Sequence, residues 1–128
     1  MGLTQRGLKN ILVTGGAGFI GTALIPALLD KRFKVIVLDN LSNGKKQNLE
    51  PFLSLDNFEF VQSDLLDEFK LKDVIEKCDL IFHLAANVEV RKGSFDTEVD
   101  FLNNVVATRN VIESMRTSNR CKKIVFTS

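Results

Sequence analysis

The sequence predicts an α/β fold: a doubly wound parallel sheet of strand order 3-2-1-4-5 with helices on both faces. Three observations carry that prediction. Short apolar runs of strand length alternate with longer amphipathic segments, the pattern of parallel strands joined by crossover helices. The first run, 9–14, passes directly into a glycine-rich stretch and then into a helical pattern. A carboxylate, Asp39, closes the second run, eighteen positions after Gly21, the last of those glycines.

The elements follow in order. Strand 9–14 (KNILVT) leads into a helix over 19–31, where Phe19, Ile20, Leu24, Ala27 and Leu28 recur at helical spacing and Pro26 costs one hydrogen bond. Strand 33–38 (FKVIVL) is followed by a polar turn, and 45–55 holds a short, weak helix interrupted by Pro51. Strand 58–61, helix 67–77 and strand 79–83 (DLIFH) come next. The longest helix runs over 97–118, with Phe101, Val105, Ile112 and Met115 on one face and Asn103 and Asn104 interrupting it. Strand 124–127 closes the series. With right-handed crossovers, this order gives the doubly wound sheet.

Composition narrows the function classes. A chain of 128 residues with 45% apolar and 26% charged residues buries its own core, so 1–128 reads as one domain without internal repeats. The net charge of +1 offers no basic surface for nucleic acid, and no apolar run reaches membrane-spanning length. Cys78 and Cys121 lack the spacing of a metal site and read as reduced thiols of a cytoplasmic protein. The start has neither the apolar core of a signal peptide nor a myristoylation pattern. There is no Tyr and a single His, which limits acid–base chemistry.

The residues that carry chemistry begin with Gly15, Gly16, Gly18 and Gly21. They satisfy both GxxGxxG and GxGxxG between a strand and a helix. A tight turn needs an unusual dihedral, a pyrophosphate needs a missing side chain, and helix-on-strand packing needs a third small residue. The helix N-terminus then turns free N–H groups and partial positive charge toward phosphate. Without GKS or GKT, an ATP-binding P-loop is disfavoured. Asp39 stands where such folds place the carboxylate that accepts the adenosine ribose hydroxyls. It repels a 2′-phosphate, so the cofactor is expected to be NAD rather than NADP.

Further along, Asp64 either accepts from the adenine amino group, with Leu65 packed on the ring, or caps the next helix. Leu84, Ala85 and Ala86 close the fourth strand with residues small enough for the backbone to pass near a cofactor. His83 reads as a buried, hydrogen-bonded strand-end residue, since no nucleophile or acid accompanies it. Of Asn103 and Asn104, at least one lies on a solvated face, while an inward-facing amide could bond the cofactor or the strand-end backbone.

Taken together, VTGGAGFIG (13–21), VLDNLSNG (37–44), SDLLD (63–67), HLAANVEVR (83–91), NNVVATRNVIESM (103–115) and KIVFTS (123–128) span nearly the whole chain. In this order the chain resembles the extended short-chain dehydrogenase/reductase family, in its NAD-dependent epimerase/dehydratase group, the one typified by UDP-glucose 4-epimerase. The resemblance implies a Rossmann-type fold, with Gly15, Gly18, Phe19, Ile20 and Gly21 around the pyrophosphate. It implies Asp39, Asn40, Asn43 and Gly44 around the ribose, and Asp64 with Leu65 at the adenine. Leu84, Ala85 and Ala86 would line the path to the nicotinamide, with Asn104 on the helix and Thr127 at the nicotinamide end.

No catalytic residue of that family falls within the chain. Its Ser or Thr is expected just beyond Ser128, and its YxxxK pair further on. The segment after the HxAA motif reads Asn87-Val88-Glu89-Val90-Arg91 where some epimerases carry Lys. The implied function is the NAD-binding part of a nucleotide-sugar epimerase or dehydratase, dimeric through the 97–118 helix. The alternative is a non-catalytic NAD-binding module of the same superfamily.

Overall fold

The structure is a computed structural model. It describes residues 8–85 and 97–126, without the side chains of Val99, Asp100 and Asn103. Five parallel strands form one sheet of order β3-β2-β1-β4-β5, as the sequence predicts. They are β1 (Asn10–Thr14), β2 (Lys34–Asp39), β3 (Phe58–Gln62), β4 (Leu80–His83) and β5 (Lys123–Phe126). The helices are α1 (Phe19–Asp30), α2 (Glu68–Ile75), α3 (Thr97–Phe101) and α4 (Ala107–Thr117).

Two apolar layers cover the sheet because successive strand side chains point to opposite faces. Ile11 and Val13 of β1, with Val35 and Val37 of β2, pack against Ile25 and Leu28 of α1. On the other face Leu12, Ile36, Leu38 and Ile81 meet Leu71, Val74 and Ile75 of α2 and Val111 and Met115 of α4. Strands buried on both sides need continuous apolar runs, which is what the sequence supplies. Cys78 and Cys121 are free and buried in the second layer. Burial pushes their thiols up, to about 12 and about 11.

Four expectations change. The buried face of α1 is Gly21, Ile25 and Leu28, whereas Phe19 is 92% exposed and Ala27 is exposed too. Neither Phe19 nor Ile20 belongs to the apolar layer between α1 and the sheet. The segment after β2 is a 3₁₀ turn, Lys46–Phe52, with Leu49 fully buried beneath it. In the long helix, Leu102–Val106 forms a π turn around Asn103 and Asn104. Beyond it the buried stripe is Ala107, Asn110, Val111, Ser114 and Met115. Phe101, Val105 and Ile112 stay about half exposed, so Met115 leaves the face assigned to it. Three residues turn a helix by only about 300°, which carries Met115 round from Ile112 toward the sheet.

The N-terminal ends of the strands are tied by Asp79. Its carboxylate accepts the N–H groups of Lys9 and Asn10, each at 2.9 Å, and the Arg120 guanidinium at 2.7 Å. Burial alone would raise this carboxyl. Arg120 and the two N–H groups outweigh it and hold the pKa at about 2. At the other side, β5 pairs only with β4 among the described residues, leaving Val125 and Phe126 partly exposed. No helix of the described residues is long and apolar enough to cross a membrane, and the described residues hold no His, Cys, Asp or Glu cluster suited to a metal.

Candidate functional site

All five strands run the same way, so the segments leaving β1 to β4 converge on one edge of the sheet. There they enclose a cavity of about 430 Å³ at the point where the strand order reverses between β1 and β4. Its floor starts with the glycine loop. Gly15 adopts φ +70°, a conformation costly for any side chain, and a Cβ there would lie 2.8 Å from the Ala85 backbone. Gly21 brings α1 onto the loop: a Cβ would stand 2.5 Å from the Gly16 Cα. The helix therefore begins directly behind the loop. No side chain caps its N-terminus, and its first-turn N–H groups have no partner within the helix.

Asp39 ends β2, 7% exposed, and both its oxygens are engaged. Oδ2 accepts the Ala17 N–H at 3.0 Å and Oδ1 the Leu41 N–H at 2.7 Å. The carboxylate thus joins the glycine loop to the turn after β2 and lines the cavity. Beyond β3, Asp64 accepts the Leu66 N–H at 2.9 Å, and Asn40 Nδ2 approaches its other oxygen at 3.4 Å. Asp64 is not the cap of α2. That position belongs to Asp67, whose Oδ1 accepts the Lys70 N–H at 3.2 Å.

The sequence assignments meet at this cavity. Gly15, Gly18, Phe19, Ile20, Gly21, Asp39, Asn40, Asn43, Gly44, Asp64, Leu65, Leu84 and Ala85 all line it, joined by Ser42, Ser63 and Ala107. Asn104 lies half-buried in the π turn, three residues before Ala107, and is not itself among the described lining residues. Ala86 and Thr127 lie outside the described residues, as does the segment 87–91.

Two supporting residues escape a motif-based reading. Thr14 Oγ1 accepts the N–H groups of Leu84 and Ala85, at 3.1 and 3.2 Å, and meets His83 Nδ1. Asn110, 4% exposed, donates to the Leu65 carbonyl at 3.0 Å and so fixes one wall of the cavity. The signal for Asn110 was a polar residue within the buried stripe of an amphipathic helix. His83 is 4% exposed between Thr14 and Thr108, as expected of a structural histidine, and burial lowers its pKa.

An uncapped helix N-terminus, a glycine floor without side chains, a buried carboxylate at the end of β2 and an apolar wall at Leu65 suit a dinucleotide. The fold and this edge define a dinucleotide-binding domain of the Rossmann type. The chain belongs to the NAD dependent epimerase/dehydratase family, whose model matches residues 11–128. It is similar to the UDP-glucose 4-epimerase of Mycolicibacterium smegmatis, 41% identical over 118 residues that cover 91% of this chain and 37% of the relative. Among solved structures, it resembles the UDP-glucose 4-epimerase of Thermotoga maritima with UDP-glucose. There the TM-score is 0.84 at 34% identity, covering 93% of this chain and 37% of that one. The Thermus thermophilus UDP-glucose 4-epimerase complex with NAD matches at TM-score 0.81 and 33% identity, with 93% and 37% covered. The chain spans about 37% of the length of these relatives.

Proposed function

We propose that this chain is the NAD-binding part of a cytoplasmic nucleotide-sugar epimerase or dehydratase. The observation that carries the reading is the convergence of the glycine loop, Asp39 and Asp64 on one cavity at the switch point of the sheet. Gly15, Gly18 and the first turn of α1 hold the pyrophosphate, with Phe19, Ile20 and Gly21 beside it. Asp39, Asn40, Asn43 and Gly44 surround the ribose, and the carboxylate of Asp39 disfavours a 2′-phosphate. Asp64 accepts from the adenine amino group while Leu65 packs on the ring. Leu84, Ala85 and Ala86 guide the nicotinamide half, with Asn104 and Thr127 toward its end.

NAD supplies a reversible hydride acceptor when bound. These 128 residues bind and orient it; they contain no Tyr, and their one His is locked between two threonines. Removal of a sugar hydroxyl proton is the task of the Ser or Thr and the YxxxK pair that the family resemblance implies, and these 128 residues do not include that pair. In the intact enzyme the residues that hold NAD would serve a transient hydride transfer at the sugar, with epimerisation or dehydration as its outcome. The exposed stripe of Phe101, Val105 and Ile112 is where two copies meet.

The deciding experiment compares these 128 residues with a longer form carrying the following sequence, each given NAD and UDP-, GDP- or dTDP-sugars. Both forms should bind NAD, and only the longer one should turn a sugar over. Turnover by the short form at a comparable rate overturns the assignment. NAD binding without turnover by the longer form supports instead a non-catalytic module.

A further inference from the structure

We propose that Asn48 is a positioning residue for dinucleotide binding, holding the glycine loop in shape through the Ala17 carbonyl. The proposal rests on the cofactor reading above. Ala17 is the one non-glycine residue between Gly15 and Gly18, and it is fully buried. Its N–H donates to Asp39 Oδ2 at 3.0 Å. Its carbonyl accepts from Asn48 Nδ2 at 3.0 Å and from the Lys45 N–H at 3.3 Å. The Ala17 backbone is thus gripped from two sides by groups outside the loop.

Glycines flank it and do not by themselves hold one conformation. The external bonds at Ala17 therefore select the loop geometry. Two features hold Asn48 in place. Gly44 lets the segment lie against the loop, since a Cβ there would stand 2.7 Å from the Ala17 carbonyl carbon. Leu49, the next residue, is fully buried in the same apolar layer as Ala17. Asn48 is not among the described residues of the cavity wall, so it acts on the ligand through Ala17. With the loop set beforehand, its N–H groups need no reorganisation when a pyrophosphate arrives.

The test is calorimetric titration of the full chain, at pH 8, with NAD, ADP and adenosine. Three forms are compared: unsubstituted, Asn48→Ala and Asn48→His, the last keeping an N–H donor on the same γ branch. Asn48→Ala should weaken NAD and ADP by about three- to tenfold, the scale of one neutral hydrogen bond, and adenosine by less than about twofold. Asn48→His should recover most of the NAD affinity; the selective loss for NAD and ADP over adenosine is what a merely structural role does not predict. Unchanged NAD affinity in Asn48→Ala overturns the proposal. Equal loss for all three ligands also overturns it, because it marks general damage to the fold. Should the unsubstituted chain bind neither NAD nor ADP, the cofactor reading itself falls and takes the proposal with it.

Discussion

The hydroxyl of Thr14 lies 2.7 Å from Nδ1 of His83, and this one contact fixes the state of the imidazole. Thr14 Oγ1 already accepts two N–H groups, from Leu84 and Ala85, so its own proton goes to His83 Nδ1. Nδ1 is then bare, Nε2 carries the hydrogen, and it donates to Thr108 Oγ1 at 3.0 Å. A second proton on the ring would break the contact with Thr14.

Stability should accordingly fall on mild acidification. The pKa of His83 is lowered from 6.5 by burial, so the unfolded chain takes up the proton first. The contribution is complete above pH 6.5 and declines as pH drops toward the folded value. Urea unfolding at pH 7.5 and 5.5 reads the effect, and His83→Asn, which keeps an acceptor but does not titrate, should flatten it. Thr14→Val should cost about 1–3 kcal/mol at pH 7.5, because it strands buried polar partners.

A second acid step belongs to Asp79. Its carboxyl, held at about 2 against an ordinary 3.8, contributes fully above pH 3.8 and loses its contribution as pH falls toward 2. The shift corresponds to about 2 kcal/mol. Asp79→Asn should lower the unfolding free energy by that order at neutral pH while leaving NAD affinity unchanged. The residue ties the N-terminal strand ends, far from the cavity. A large loss of NAD binding in this variant would show that the two ends of the sheet are not independent.

Cofactor choice is predicted from Asp39. The full chain should bind NAD with clear preference over NADP, and Asp39→Ala should weaken NAD by about 1.5–3 kcal/mol, the scale for hydrogen bonds to a charged group. Equal affinity for the two dinucleotides would sink the assignment.

Association is predicted from the outward stripe on the long helix. Replacing Val105 and Ile112 by Glu places two carboxylates where apolar surface is to be buried. The dimer dissociation constant of the full-length protein should rise by at least about a hundredfold, with NAD affinity per subunit retained. Sedimentation showing an unsubstituted monomer at high concentration refutes the interface.

Most of the architecture was legible because a parallel sheet buried on both faces writes itself as short apolar runs, and β1 through β5 appear in that form. The cavity residues were legible for a related reason: they follow strand ends directly, where motif spacing and topology coincide. Side-chain direction was not. Phe19 and Ile20 have the spacing of a core face, but nothing in the local pattern tells that they line the cavity instead of the core. Thr14 and Asn110 act through backbone groups of residues 70 and 45 positions away, and such pairings exist only after folding. The cap of α2 stayed open for the same reason, until Asp67 and not Asp64 proved to be the capping residue.

Asp39 carries one consequence for anyone wishing to alter this protein. Its two oxygens already brace Ala17 and Leu41, so the group predicted to discriminate between dinucleotides is also a strut of the scaffold. Redesign toward a phosphorylated cofactor is therefore not a single-letter edit. Any replacement that welcomes the extra phosphate must also supply new acceptors for two backbone hydrogens, or the loop it was meant to retune will come loose.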